Sequence, residues 1–301
     1  MSVITDAPRA QDSGGQDDDR SRSRRTRRRV WRALQYVALV LFVCFLGFPL
    51  LFLVTAAFKT QQELQSPDPQ LLPAQWNLDN FIGAIERAGL GQAALNSLVV
   101  ALATTLIVVV VSLPAAYALA RFQTRLRGLA TGWILLSQVF PFILIIIPLF
   151  LMLRPLGLNN TLGGLVVVYV VWSLPFALWM LRGYVAAIPS ELEEAGAMDG
   201  ASRLRVLVSI IMPLLGPGLV ATALFAFIGS WNEFFFALVL IKDEALQTLP
   251  QRLALFVGSE GQVALGQLAA GSLLACIPSL VFFAIIQRRL TSGLLSGAVK
   301  G

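Results

Sequence analysis

The fold class this sequence predicts is an all-α integral membrane protein with six transmembrane helices. Three features carry that expectation. Apolar residues form six long unbroken runs, charge is scarce, and most basic residues gather on one side of those runs. Charged side chains make up only 13% of the chain and hydrophobic ones 56%. Soluble domains average about 25% and 45–50%.

A helix needs about 20 largely apolar residues to cross about 30 Å of hydrocarbon. The runs near 34–58, 97–120, 129–153, 162–181, 214–241 and 266–287 meet that length. Their apolar residues are continuous and do not alternate, which fits helices and not barrel strands. Pro49, Pro114, Pro141, Pro148, Pro175 and Pro278 lie inside the runs. In a bundle, neighbouring groups can satisfy the carbonyl a proline frees. Kinks for packing and kinks for pivoting about a pathway are both open readings.

Residues 1–29 are rich in Ser, Asp and Arg and hold almost no large apolar side chain, so they read as a disordered tail. The first run exceeds the 7–15 apolar residues of a cleavable signal and reads as a retained helix. With the N-terminus inside, 18 of the 23 Lys+Arg fall on the cytoplasmic side. Only Lys59, Arg87, Arg154, Lys242 and Arg252 fall outside. This bias predicts that both termini are cytoplasmic. The net charge of +6 therefore suits an anionic membrane face better than nucleic acid. Three parts follow: a tail 1–29, a membrane domain 30–290 with a cytoplasmic loop 182–213, and a C-terminal tail 291–301. The two cysteines, Cys44 and Cys276, lie in apolar runs and read as small core residues.

The 182–213 loop is the most informative segment. Ser190 and Glu193 have capping-box spacing. Leu192, Ala195 and Met198 recur at helical intervals and form an apolar stripe, with Glu191 and Glu194 beside it. Gly200 suits the position just past a helix end, where positive φ costs a glycine little. A second amphipathic piece spans 202–212, and Pro213 marks entry to the fifth run. Such a helix pair can lie on lipid, pack on its own bundle, or dock into a partner's groove. Its acidic edge suits an anionic leaflet poorly.

The spacing Glu194-Ala195-Gly196, three residues, Gly200, nine residues, Ile210-Ile211-Met212-Pro213 resembles the EAA signature of ATP-binding-cassette (ABC) importer permeases. Asp199-Gly200-Ala201 also has the family's common form. Gly196 stands where the pattern has a second Ala, and Met212 where it has Leu. Glycine in a helix costs about 1 kcal/mol relative to Ala but lets a partner approach closely. The resemblance covers about residues 30–301. It is strongest to the second permease of carbohydrate importers of the maltose and glycerol-phosphate type, through Leu95-Asn96-Ser97-Leu98, Ser230-Trp231-Asn232-Glu233-Phe234 and the ending from Gly293 to Gly301. It implies the six-helix type I importer permease fold, in a bacterial plasma membrane. It further implies a second homologous permease subunit, two ATPase subunits, an extracellular solute-binding protein and a sugar substrate. Glu193, Glu194, Ala195, Gly196, Met198, Asp199, Gly200 and Pro213 would then form the element that couples to the ATPase. The C-terminal tail would reach between the ATPase subunits.

ATP and Mg would sit on the partner, and no cofactor is expected on this chain. The three lysines, Lys59, Lys242 and Lys300, build no Gly-x-x-x-x-Gly-Lys phosphate loop, and the chain has no His. No catalytic triad or metal cluster can be assembled, so an enzyme is not expected. Glu233 is the one ionisable residue well inside a run, and such residues are functional candidates because hydrocarbon penalises them. With Asn232, Phe235 and, in the third run, Gln138, it could line a sugar pathway. Alternatively it could pair with a neighbouring subunit, its aromatic neighbours forming an interfacial belt. A secondary transporter would call for charges near the midplane of several spans and for repeated halves. A polyamine carrier would need more acidic lining, and a phosphate carrier Arg or Lys within the spans. An amino-acid importer is a further alternative.

Overall fold

The computed structural model describes residues 14–68, 70–122, 124–258 and 264–298. Helix α1 (Gly14–Ala57) runs through a first unit that ends at Val54, and a second unit begins at Thr55. Residues 14–29, expected to be disordered, are thus helical, while 1–13 lie outside the described residues. Once a helix is nucleated, extension costs little per residue, and no Gly or Pro interrupts the chain between Gly15 and Gly47. That suffices to carry the apolar helix back into the arginine-rich segment.

In the second unit, the short helices α2 (Gln61–Leu64) and α3 (Asp79–Ile82) precede the long α4 (Leu90–Arg121). Then come α5 (Leu126–Val139), α6 (Ile143–Leu153) and α7 (Leu162–Ala186). The 190–212 loop holds α8 (Glu191–Met198) and α9 (Arg203–Val206), then a π-helical turn at Leu207–Ile211 and α10 (Met212–Leu214). The chain continues as α11 (Gly216–Trp231), α12 (Phe235–Leu240), α13 (Leu249–Ala254) and α14 (Leu265–Ala298). Among the described residues every one of these elements is helical. α14 takes in most of the expected C-terminal tail; 299–301 lie outside the described residues.

α4 is the axis of this unit, packed along α7 and α11, with α14 against α11. Val108, Ala177 and Ala226 meet at its waist, each fully buried. Small residues there let helix backbones approach closely, which is how apolar helices gain contact where hydrocarbon offers no hydrophobic drive. At one end Val100, Leu165, Tyr169 and Phe236 form a cluster; at the other, Tyr117, Val185, Leu207, Ile211 and Leu215 do. Trp231 fastens α11 to α14 by donating from Nε1 to the Ala275 carbonyl at 3.0 Å. Leu106, Val110, Trp133, Ile147 and Leu280 are exposed, a distribution suited to lipid and not to water. Cys44 and Cys276 are exposed too, not core residues as expected. On an apolar helix surface a small thiol needs no buried site.

Among the described residues, four helices are long and apolar enough to cross a membrane, and two bent pairs could each supply one more crossing. The expected third run breaks at 140–142, where α5 and α6 meet at 108°. Pro141 accounts for the break: it offers no amide hydrogen and forces Phe140 out of the helical region, to φ −71°, ψ 128°. The fifth run likewise divides. An 80° bend at Leu215 separates the 203–214 segment from α11, and α11 ends at Trp231 before α12 begins.

The end of the unit away from the 190–212 loop is held by polar side chains. Asn96 donates from Nδ2 to the carbonyls of Ala245 and Gln247, both at 2.9 Å, and Ser97 Oγ accepts from Leu249 N at 2.8 Å. Asn160, at φ 57°, accepts at Oδ1 from Lys242 N and Asp243 N. A capping box forms at the start of α2. Thr60 N donates to Glu63 Oε2 at 2.8 Å, Glu63 N donates to Thr60 Oγ1 at 3.3 Å, and Ala74 N donates to Glu63 Oε1 at 2.7 Å. The amides of Thr60 and Ala74 hold the Glu63 carboxyl below its usual range. A depressed carboxylate contributes stability that is present above its unfolded value and lost as pH falls through the folded one. Amide exchange at Thr60 and Ala74, corrected for its intrinsic pH dependence, should therefore stay slow at neutral pH. It should quicken only below the ordinary glutamate range. In Glu63→Gln, that acid-triggered step should be gone.

Candidate functional site

The 190–212 loop is built from two short helices joined by a tight turn. α8 ends in a Schellman motif: Gly200 N donates to Ala197 O and Ala201 N to Gly196 O, both at 3.0 Å, with Gly200 at φ +77°. That matches the expectation for Gly200. The start of α8 differs from expectation. Ser190 is helical itself, at φ −69°, ψ −21°, and makes no side-chain cap. Glu193 does not turn back to Ser190 because it has stronger partners. Its Oε1 accepts from Arg121 Nε at 2.5 Å and its Oε2 from the Tyr117 hydroxyl at 2.8 Å. A charged donor outcompetes a neutral backbone amide for a carboxylate.

Arg121 lies in the last turn of α4, where a cation also meets the negative end of the helix dipole. Its Nη2 donates to the Ile188 carbonyl at 2.7 Å, just ahead of α8. Phe122 stands edge-on to Tyr117, with ring centroids 6.3 Å apart, and the Arg203 guanidinium sits 5.0 Å from the Phe122 centroid. Both halves of the loop therefore grip the end of α4. Arg121 and Tyr117 were not singled out from sequence, although Arg121 counted among the inward-biased basic residues.

α8 has an inward face of two residues, the half-buried Glu193 and the buried Gly196. A Cβ on Gly196 would stand 2.6 Å from Ile210 Cδ1 and 3.4 Å from Val206 Cγ2. The close approach that Gly196 permits is thus to the loop's own second helix, not to a partner. Glu194, Ala195, Ala197, Met198, Asp199 and Gly200 are exposed, Met198 by 88% and Leu192 by 43%. The predicted stripe of Leu192, Ala195 and Met198 faces away from the bundle, so packing on its own chain does not account for it. Pro213 follows the π-helical turn, in which Met212 N donates to Leu207 O, and stands just before the bend at Leu215.

The second candidate group gathers where the two broken runs meet. Phe142, in the break between α5 and α6, lies 5.6 Å from Phe235, 6.2 Å from Phe236 and 5.8 Å from Trp172, by ring centroids. Glu233 occupies the gap between α11 and α12. It accepts from Phe236 N at 2.8 Å, Ala237 N at 3.2 Å and the Tyr169 hydroxyl at 2.7 Å. The carboxylate thereby satisfies the first orphan amides of α12, and it also complements that helix's positive end. Its own chain thus engages both oxygens. Asn232 is exposed, its Nδ2 donating to Ile228 O at 2.9 Å; Phe235 is exposed as well. Gln138 is exposed near the end of α5, just ahead of the Phe140–Phe142 break. Among the described residues no group of His, Cys, Asp and Glu could hold a metal ion.

Glu233→Ala leaves two amides and a phenol without their acceptor. The expected cost is on the order of 3 kcal/mol, read as a lower melting temperature of the purified protein, while Glu233→Gln should recover much of it. An unchanged melting temperature for Glu233→Ala would contradict the capping role.

A sequence model of the family described as "Binding-protein-dependent transport system inner membrane component" matches residues 109–292. An ABC transporter permease protein of Streptomyces antibioticus, ORF1, is 57% identical over 229 residues, covering 76% of this chain and all of the relative. The trehalose transport system permease protein SugB of Mycobacterium tuberculosis is 38% identical, over 84% of this chain and 92% of the relative. Among solved structures, a chain of a bacterial ABC transporter involved in import of the acidic polysaccharide alginate superposes with TM-score 0.75. The two are 21% identical, and the match covers 86% of this chain and 96% of that one. The fold is shared.

Proposed function

Because the chain belongs to the family of binding-protein-dependent transport system inner membrane components, we propose that it is the permease subunit of an ATP-driven importer that takes up a sugar or sugar derivative. It catalyses no reaction itself. A second permease subunit and two ATPase subunits complete the complex, and an extracellular binding protein delivers the substrate. The chain crosses the membrane six times, α5 with α6 making the third crossing and α11 with α12 the fifth, with both termini in the cytoplasm. The 59–96 and 242–265 segments hold few Lys and Arg, namely Lys59, Arg87, Lys242 and Arg252, as the positive-inside rule asks.

One observation carries the coupling assignment: the apolar stripe of α8 is exposed on a helix whose other face is fixed to its own bundle. A short amphipathic helix held by one face and bare on the other suits a groove in a partner. On this reading ATP closes the ATPase dimer, and α8 passes the motion to the bundle. The sugar assignment rests on the trehalose permease relative. It is supported by the exposed Phe235 and Asn232 beside the aromatic cluster, an apolar surface with few polar groups of the kind that lines small-molecule sites.

Purification of the intact complex should bring down an ATPase and a binding protein. Uptake of radiolabelled di- and oligosaccharides into proteoliposomes should be ATP-dependent. Glu194→Lys or deletion of Gly200 should reduce uptake by about tenfold or more, the scale of a lost coupling free energy, while the chain still inserts into the membrane. Unchanged uptake in both variants would overturn the assignment of α8.

A further inference from the structure

We propose that Arg121 and Glu193 are positioning residues that make the end of α4 and helix α8 move as one body during transport. This rests on the coupling reading above and deepens it, by naming the helix to which the motion is delivered and the contact that delivers it.

The covalent chain alone does not link α8 to α4. α8 follows α7 through residues 187–190 and leads through α9 and α10 to α11. Among the described residues, it is side chains that join α4 to this loop. Yet α4 is the axis on which α7 and α11 pack, so a stroke at α8 that bypassed α4 would have to slide both helices along it. The contact at the end of α4 has the properties of a rigid joint. Glu193 uses both oxygens and Arg121 uses two nitrogens, which ties α8 and the Ile188 carbonyl to one guanidinium. The two side chains are 14% and 16% exposed, so water screens the pair little. A planar guanidinium held at two points fixes orientation as well as distance. On the same side, Arg203 over Phe122 couples α9 to the residue that ends α4.

Opposite that joint, α8 is bare: Leu192, Ala195 and Met198 are exposed. The helix is thus arranged with an anchor on one face and a free surface on the other. The adjacent glutamates differ in their ties: Glu193 is bonded to its own bundle, and Glu194 is exposed beside it.

The test uses the whole complex in proteoliposomes, with binding protein and sugar, and reads two quantities: ATP hydrolysed and sugar moved. Glu193→Gln keeps the shape and the Tyr117 contact but loses the charge, and Arg121→Gln loses the charge from the other side. Each variant should retain the ATPase subunits on purification and continue to hydrolyse ATP, yet move about tenfold less sugar per ATP. The charge-swapped double variant Arg121→Glu with Glu193→Arg restores the pair without the Ile188 bond. It should recover part of the lost ratio. Tyr117→Phe should change the ratio by less than twofold.

A joint that served only stability would lower uptake and hydrolysis together and leave their ratio intact, so an unchanged ratio in both glutamine variants overturns the proposal. If either variant fails to assemble, the double variant decides: a swapped complex that assembles with no gain over the single variants also overturns it. Failure of the unaltered permease to hold an ATPase at all would instead sink the coupling reading itself.

Discussion

Glu193 governs the geometry of α8, the short helix whose outer apolar stripe is exposed. Its carboxylate accepts from Arg121 and Tyr117 of α4. Three residues later, Gly196 seats α8 against Ile210 and Val206. These two positions lie on one helical face and leave the rest of α8 turned outward. The Schellman turn at Gly200 then reverses the chain within two residues, so that α9 and its π-helical continuation can pack on Tyr117 and Val185. The loop is therefore a rigid bracket. Its outward surface is set by what its inner surface grips.

The same economy runs through the rest of the unit. A chain that breaks its helices within apolar surroundings must satisfy the freed backbone groups internally. Glu233 does so between α11 and α12, and Asn160 does so at the end of α12, where its own amide donates to Leu240 O. Asn96 does so for the segment before α13. Asn96 and Asn160 stand at the edges of apolar runs, and Glu233 in the break within one. The ring of Phe142 in the first break meets those of Phe235 and Phe236 just after the second, which places two helix interruptions and the exposed Phe235 together.

Much of this was legible in the sequence, and the failures are instructive. Apolar run lengths located the helices because hydrocarbon thickness is a fixed ruler. Gly200 announced the end of α8 because only glycine takes positive φ without cost. Ser190 and Glu193 had capping-box spacing and formed none, whereas Thr60 and Glu63, with the same spacing, formed one that had not been singled out. Local spacing cannot tell which Glu has a guanidinium waiting from another helix. Residues 14–29 read as disordered because composition weighs burial, whereas α1 begins at Gly14, continuous with the apolar helix downstream. Gly196 read as a concession to a partner, but its neighbour is Ile210, a tertiary contact that no window of sequence contains. Pro141 was visible as a kink, yet the size of the 108° turn depends on how α6 packs afterwards.

The central claim is that α8 offers its outward face to a second protein, and thiol labelling tests it most directly. Cys44 and Cys276 are both exposed, so the measurement needs a cysteine-free background carrying Met198→Cys. The lone permease should react rapidly with a water-soluble maleimide at that site. The same site should be shielded in the complete complex with its ATPase. Equal reactivity in both preparations would mean that the bare face stays bare, and the helix would have to be assigned some other role.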